Sequence, residues 1–112
     1  MKIQADVLMF NQEGFLTETT IYNIAIQKSA SSKWVTPPLK DGLLDGTARR
    51  FMIDQDILAE GRLTASDLPP ATSSPTQPVD SWPYPRLVAF NSVRGVRPAI
   101  LVSNVPPQGM ES

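Results

Sequence analysis

A few short stretches hold the residues able to do chemistry. Glu18 is a lone carboxylate within Leu16-Thr17-Glu18-Thr19-Thr20-Ile21-Tyr22-Asn23. Asp45-Gly46-Thr47 opens a helical pattern, and a helix start carries unpaired N–H groups with partial positive charge. Gly46 lets that backbone come close to an anion, with the Thr47 hydroxyl as an added donor. A structural helix capped by Asp45 is the plain alternative. Asn91-Ser92 interrupts an apolar strand and places a hydroxyl and nearby N–H groups at a strand end, a common place for anions to bind. Taken alone, it is equally an ordinary Asx or Ser turn. Arg94 can grip a carboxylate bidentately or lie solvated at the surface.

Several chemistries are excluded by what is missing. The 112 residues contain no His and no Cys. Imidazole acid–base catalysis, Ser-His triads, thiolate metal sites and disulfides are therefore outside the reach of these residues, and no metal is expected. A net charge of −1, with the basic residues scattered apart from Arg49-Arg50, gives no footprint for nucleic acid or an anionic membrane. No stretch is long and apolar enough for a membrane span, and Met-Lys-Ile-Gln-Ala-Asp lacks a signal-peptide core, so the cytoplasm is the expected location.

The elements that must position these residues follow from periodicity. The apolar run 5–10 ends in a turn at Asn11-Gln12-Glu13-Gly14, and Phe15-Leu16-Thr17 resumes an extended pattern. From Thr20 to Ile26 alternation predicts a strand with one strongly apolar face. Trp34-Val35-Thr36 is a further short strand, stopped by Pro37-Pro38. Tight turns between these strands predict an antiparallel meander. The Thr47 helix is predicted to run to about Ala59 or Glu60, burying Ala48, Phe51, Met52, Leu58 and Ala59, with Gly61 as its terminating glycine. Thr64 and Asp67 have the spacing of a capping box. Residues 69–86, crowded with Pro, read as an exposed, partly disordered loop, with a Pro-rich recognition ligand as the alternative. Strand pattern returns at Leu87–Phe90 and again from Pro98 to Val102.

Order and combination add a resemblance. Thr-Glu-x-x-x-x-Asn, then Thr-Pro-Pro-Leu, Gly-Leu-Leu-x-Gly-x-x-Arg, Leu-Thr-x-x-Asp-Leu and Asn-Ser-x-Arg-Gly-Val-x-Pro resemble the class IV aminotransferases, which use pyridoxal phosphate. The last run looks most like the 4-amino-4-deoxychorismate lyases of that family. The resemblance covers about residues 6–68 and 86–101. It implies an α+β fold: part of the large domain of a D-amino-acid aminotransferase-like enzyme, antiparallel or mixed strands packed with one main helix. That domain would occupy residues 1–104, with 69–86 as an inserted loop and 105–112 as a tail. It also implies that Glu18 faces the cofactor's ring nitrogen; Asn23 can fix the local backbone, orient Glu18 toward the cofactor or simply cap a strand. Gly46, Thr47, Ala48 and Ser92 would form the phosphate cup, Arg94 would bind a small-molecule substrate, and a homodimer is allowed. Ala48 stands where the family commonly has Thr. The family's Schiff-base lysine lies well before its glutamate; Lys2, Lys28, Lys33 and Lys40 do not match it. No catalytic residue is therefore assigned, the small N-terminal domain is expected to be absent, and a non-catalytic truncated fragment or interaction remnant is the alternative reading.

Overall fold

Near-continuous burial along Asn23–Gln27 goes with a place at the centre of the sheet. The computed structural model describes residues 7–19, 21–70 and 78–101. Strand β1 (Asn23–Gln27) lies between β2 (Trp34–Thr36) and β4 (Arg86–Asn91), antiparallel to both. Strand β3 (Leu58–Glu60) runs parallel to β2 at one edge, and β5 (Gly95–Ala99) pairs antiparallel with β4 at the other. The order is β3-β2-β1-β4-β5, and a single α-helix, α1 (Thr47–Asp54), packs on the sheet. This is the mixed sheet with one main helix that the resemblance implies.

β1 is buried on both faces, not on one as its alternation predicts. Ile24 and Ile26 point into a cluster with Leu16, Leu63 and Leu87. Ala25, on the opposite face, packs with Leu58 and Phe90 beneath Ala48, Met52 and Ile53 of α1. The strand also starts later than expected. Thr19 accepts the Tyr22 N–H on its hydroxyl at 2.9 Å and donates its own N–H to the Tyr22 carbonyl. Those bonds fold 19–22 into a turn; Thr20 itself lies outside the described residues. Of the predicted meander, only the β1–β2 pair belongs to the five-stranded sheet. The preceding segment instead folds back on itself: Met9 donates its N–H to the Glu18 carbonyl and accepts the Thr17 N–H on its own carbonyl, around a Phe10–Leu16 bridge. The turn at Asn11–Gly14 is as expected, with Gly14 at φ +88°.

The helix stops at Asp54, short of Ala59. Ile57 N–H returns to the Met52 carbonyl and Asp56 N–H to that of Ile53, the paired bonds that close a helix around a left-handed residue. Asp56, at φ +62°, is that residue, a position where glycine is usual. Leu58-Ala59-Glu60 then pair with Trp34-Val35-Thr36. Gly61 ends no helix; it donates to the Thr36 carbonyl at 3.0 Å, and a Cβ there would stand 2.9 Å from Val35 Cγ1. Phe51 faces solvent in place of the predicted burial, and Arg49 takes the buried position.

Part of the Pro-rich stretch is built rather than loose. Residues 71–77 lie outside the described residues. Beyond them Val79–Ser81 forms a 3-10 turn, and Arg86 donates to the carbonyls of Asp80 and Trp82 while stacking 4.1 Å from the Tyr84 ring centre. The second strand of the final hairpin begins at Gly95, earlier than Pro98, because Asn91 already pairs with Gly95. Pro98 faces Val88 on this edge strand, where a residue without an N–H is tolerated.

Arg49 ties these parts together. Its guanidinium, 1 % exposed, donates to the Pro37 carbonyl just past β2 at 2.9 Å and pairs with Glu60 at the end of β3 and with Asp45 before α1. A lysine ammonium cannot reach such a set of acceptors in different directions. Arg49→Lys should therefore lower stability by about 2 kcal/mol in urea unfolding, whereas Arg50→Lys, at the exposed Asp45 pair, should stay within about 0.5 kcal/mol.

The capping box is as predicted: Asp67 accepts the Thr64 N–H at 2.8 Å. That bond, helped by Lys28 at 3.0 Å, holds the Asp67 carboxyl below its ordinary value of 3.8. A depressed carboxyl stabilises the fold above the unfolded value and loses that contribution as pH falls through the folded one. Asp67→Asn should cost about 1 kcal/mol at neutral pH, and the gap to wild type should close as pH drops below 3.8; thermal melts across that range measure it.

Candidate functional site

The helix start and the lone carboxylate meet in one place. A cleft of about 170 Å³ is lined by Glu18, Asn23, Gly46 and Asn91, with Ile21, Tyr22 and Leu44 completing its wall. Glu18 comes from the segment that folds back onto residues 7–10, its carbonyl fixed by the Met9 N–H at 2.8 Å. Asn23 opens β1, Leu44 and Gly46 lie on the loop before α1, and Asn91 closes β4.

The Leu44 peptide is gripped from both sides. Its N–H donates to Glu18 Oε1 at 3.2 Å, and its carbonyl accepts from Asn23 Nδ2 at 3.1 Å. This bond sets the orientation of Glu18, whose second carboxylate oxygen makes no hydrogen bond among the described residues. Asn23 orients Glu18 only through Leu44; no direct bond joins the two side chains among the described residues.

Gly46 has a reason for its missing side chain that spacing could not reveal. Its φ of −66° is open to any residue, but a Cβ would lie 2.5 Å from Asn23 Oδ1. The helix it precedes has no side-chain cap. Asp45 does not cap it. That carboxylate is drawn instead to Arg50 and Arg49, and the Arg50 guanidinium holds it below the usual carboxylate range. The first N–H groups of α1, at Thr47 and Ala48, are thus left without a side-chain acceptor, while the Ala48 methyl packs into the core beneath.

Thr47 and Ala48 are not among the residues that line the cleft, and Ser92 and Arg94 also stand apart from it. Ser92 and Arg94 both lie in the exposed β4–β5 turn, directly beyond Asn91. Tyr22 and Leu44 line the cleft and were not singled out by residue type, while Asn91 was singled out only together with Ser92, as a polar break that could hold an anion. The signal for Asn91 was present in its Asx-turn position; the others give none beyond an apolar or aromatic side chain. Among the described residues no lysine lines the cleft: Lys28 pairs with Asp67 and Lys33 with Asp56. No group of three acidic residues clusters as a metal site, and no helix is long and apolar enough to cross a membrane, again among the described residues.

A sheet of this order with one helix set over it is part of an aminotransferase fold. It superposes on the crystal structure of a Mesorhizobium loti protein provisionally named an amino-acid aminotransferase, with a TM-score of 0.68 and 30% identity, covering 87% of this chain and 40% of that one. The chain matches the model of the family described as amino-transferase class IV over residues 1–101, and it belongs to that family. A Schizosaccharomyces pombe protein provisionally named an aminodeoxychorismate lyase is 44% identical over 55 residues, 49% of this chain. The aminodeoxychorismate lyase of Saccharomyces cerevisiae is 38% identical over 68 residues, 58% of this chain. The chain spans 23% and 18% of the lengths of those two relatives.

The fit between Gly46 and Asn23 can be tested by a double-mutant cycle. Gly46→Ala should cost about 1–3 kcal/mol by overpacking, and much less in an Asn23→Ala background, where the clashing amide is gone. A coupling above about 0.5 kcal/mol in denaturant melts is the expected sign.

Proposed function

We propose that the cleft holds pyridoxal phosphate and that these residues form the cofactor-holding part of an aminodeoxychorismate lyase-like enzyme. One observation carries this: the Glu18 carboxylate, oriented by the Leu44 N–H, and Gly46 at the start of a helix without a side-chain cap line the same small cleft. The donor set suits the cofactor's two ends. Glu18 would pair with the protonated ring nitrogen, its aim fixed by the Leu44 N–H. The N–H groups of Thr47 and Ala48, with Ser92 across the rim, would hold the phosphate. When bound, the cofactor supplies an electron-withdrawing ring that stabilises a carbanion of the substrate.

Within this reading Glu18 keeps the ring protonated, Asn23 and Leu44 keep Glu18 from swinging away, and Arg94 receives a substrate carboxylate. The reaction assigned to the whole protein is loss of pyruvate from aminodeoxychorismate to give para-aminobenzoate, supported by the relatives' names and by Asn91-Ser92-x-Arg94-Gly95. In this reading the described residues, with no lysine in the cleft lining, hold the cofactor without bonding it and do not by themselves turn over substrate.

Titration of the purified chain with pyridoxal phosphate, followed by absorbance and by borohydride reduction, tests this. The expected result is saturable binding with no reducible lysine adduct, weakened about tenfold in Glu18→Ala through loss of a charge-assisted bond. A stoichiometric lysine adduct would contradict the noncovalent reading. Equal affinity in Glu18→Ala would remove the carboxylate from the site.

A further inference from the structure

The end of β4 is held by one side chain that makes bonds in two directions. Asn91 Oδ1 accepts the N–H groups of Val93, at 3.0 Å, and Arg94, at 2.6 Å. Asn91 Nδ2 donates to the Ile21 carbonyl at 2.9 Å, across 70 residues of chain. Ile21 and Asn91 both line the cleft. The first pair of bonds shapes the three-residue turn that Gly95 closes at φ +75°. The Nδ2 bond ties that turn to the segment leading into β1.

We infer that Asn91 is a positioning residue that sets where Ser92 stands on the rim of the cleft and makes Ser92 the turn's donor to a bound phosphate. Two of the turn's N–H groups are already committed to Asn91 and are withdrawn from any anion. Ser92 makes no hydrogen bond among the described residues, so its hydroxyl and N–H remain open. The tether to Ile21 matters as much as the turn itself. Val93 is 88 % exposed and Ser92 and Arg94 are exposed too, so none of the described residues packs closely on the turn. Its placement relative to Glu18 and Gly46 then depends on the Nδ2 bond and the strand pairing beneath it. The phosphate role rests on the cofactor reading above; the hold on the turn does not.

Two substitutions separate the jobs. Asn91→Ala removes both sets of bonds. In Asn91→Ser a hydroxyl can still accept from the turn, more weakly, but is too short to reach Ile21. Affinities for pyridoxal phosphate and for unphosphorylated pyridoxal would be measured on the full chain, with amide exchange followed at Val93 and Arg94. The wild type should prefer the phosphorylated compound. That preference should fall about tenfold in Asn91→Ala and also in Asn91→Ser. Exchange at Val93 and Arg94 should speed up most in the Ala variant and be partly restored by Ser. An undiminished preference in both variants overturns the assignment to phosphate, and unaltered exchange in Asn91→Ala overturns the hold on the turn. A wild type that does not distinguish the two compounds defeats the cofactor reading, and is told apart because exchange reports on Asn91 with no ligand present.

Discussion

A guanidinium taken out of water is the constraint on which the rest of this structure depends. Arg49 sits on the first turn of a short helix, yet its charge is turned inward, toward the ends of two neighbouring strands. Burying an unpaired cation is prohibitive, so the chain must bring acceptors to it. Those acceptors come from Asp45, Pro37 and Glu60, three separate segments. Satisfying the cation fixes how α1 enters the sheet, and hence where Gly46 and the open N–H groups behind it point. Arg49 Nε finds no partner among the described residues, so the geometry serves the other two nitrogens at the expense of the third.

The cleft is built on loops, but the loops are held by polar bonds rather than packing. Leu44 exposes most of its side chain while its peptide is clamped by Glu18 and Asn23. Asp41 does similar work one turn earlier: its carboxylate is buried, Arg62 donates to it at 2.9–3.0 Å, and its carbonyl accepts from Asn11. Arg62 in turn lies 4.3 Å over the Phe15 ring. The two clamps together tie the 38–46 segment to Asn11, Glu18 and the start of β1. Each is local in space and long-range in sequence, which is why neither is visible as a pattern.

What the sequence made legible followed from periodicity and turn chemistry. The β1 and β2 strands, the start of α1, the Gly14 turn and the Thr64–Asp67 cap were all readable from residue types at fixed spacing. The helix end was not, because Asp56 occupies a left-handed position normally signalled by glycine, and because Leu58 and Ala59 fit a helical stripe as well as a strand. Only pairing with Trp34–Thr36 decides between them, and that is tertiary information. For the site, Glu18, Asn23 and Gly46 were found by their order along the chain. The reason for Gly46 was hidden, since its partner Asn23 is distant in sequence and close only in space. Asn91 looked like an ordinary turn residue, and it is one; its second bond, to Ile21, leaves no trace in the local pattern.

Strand β5 has a consequence for how the molecule behaves in solution. It closes one side of the sheet with most of its residues exposed, and such a border ordinarily invites another chain to add on by backbone bonding. Here the row of donors is interrupted by Pro98, and the neighbouring Arg97 brings a charge that a stacked copy would have to accommodate. This flank is therefore a poor template for fibre growth, even though none of the described residues covers it, and the sheet can stay open there without becoming adhesive.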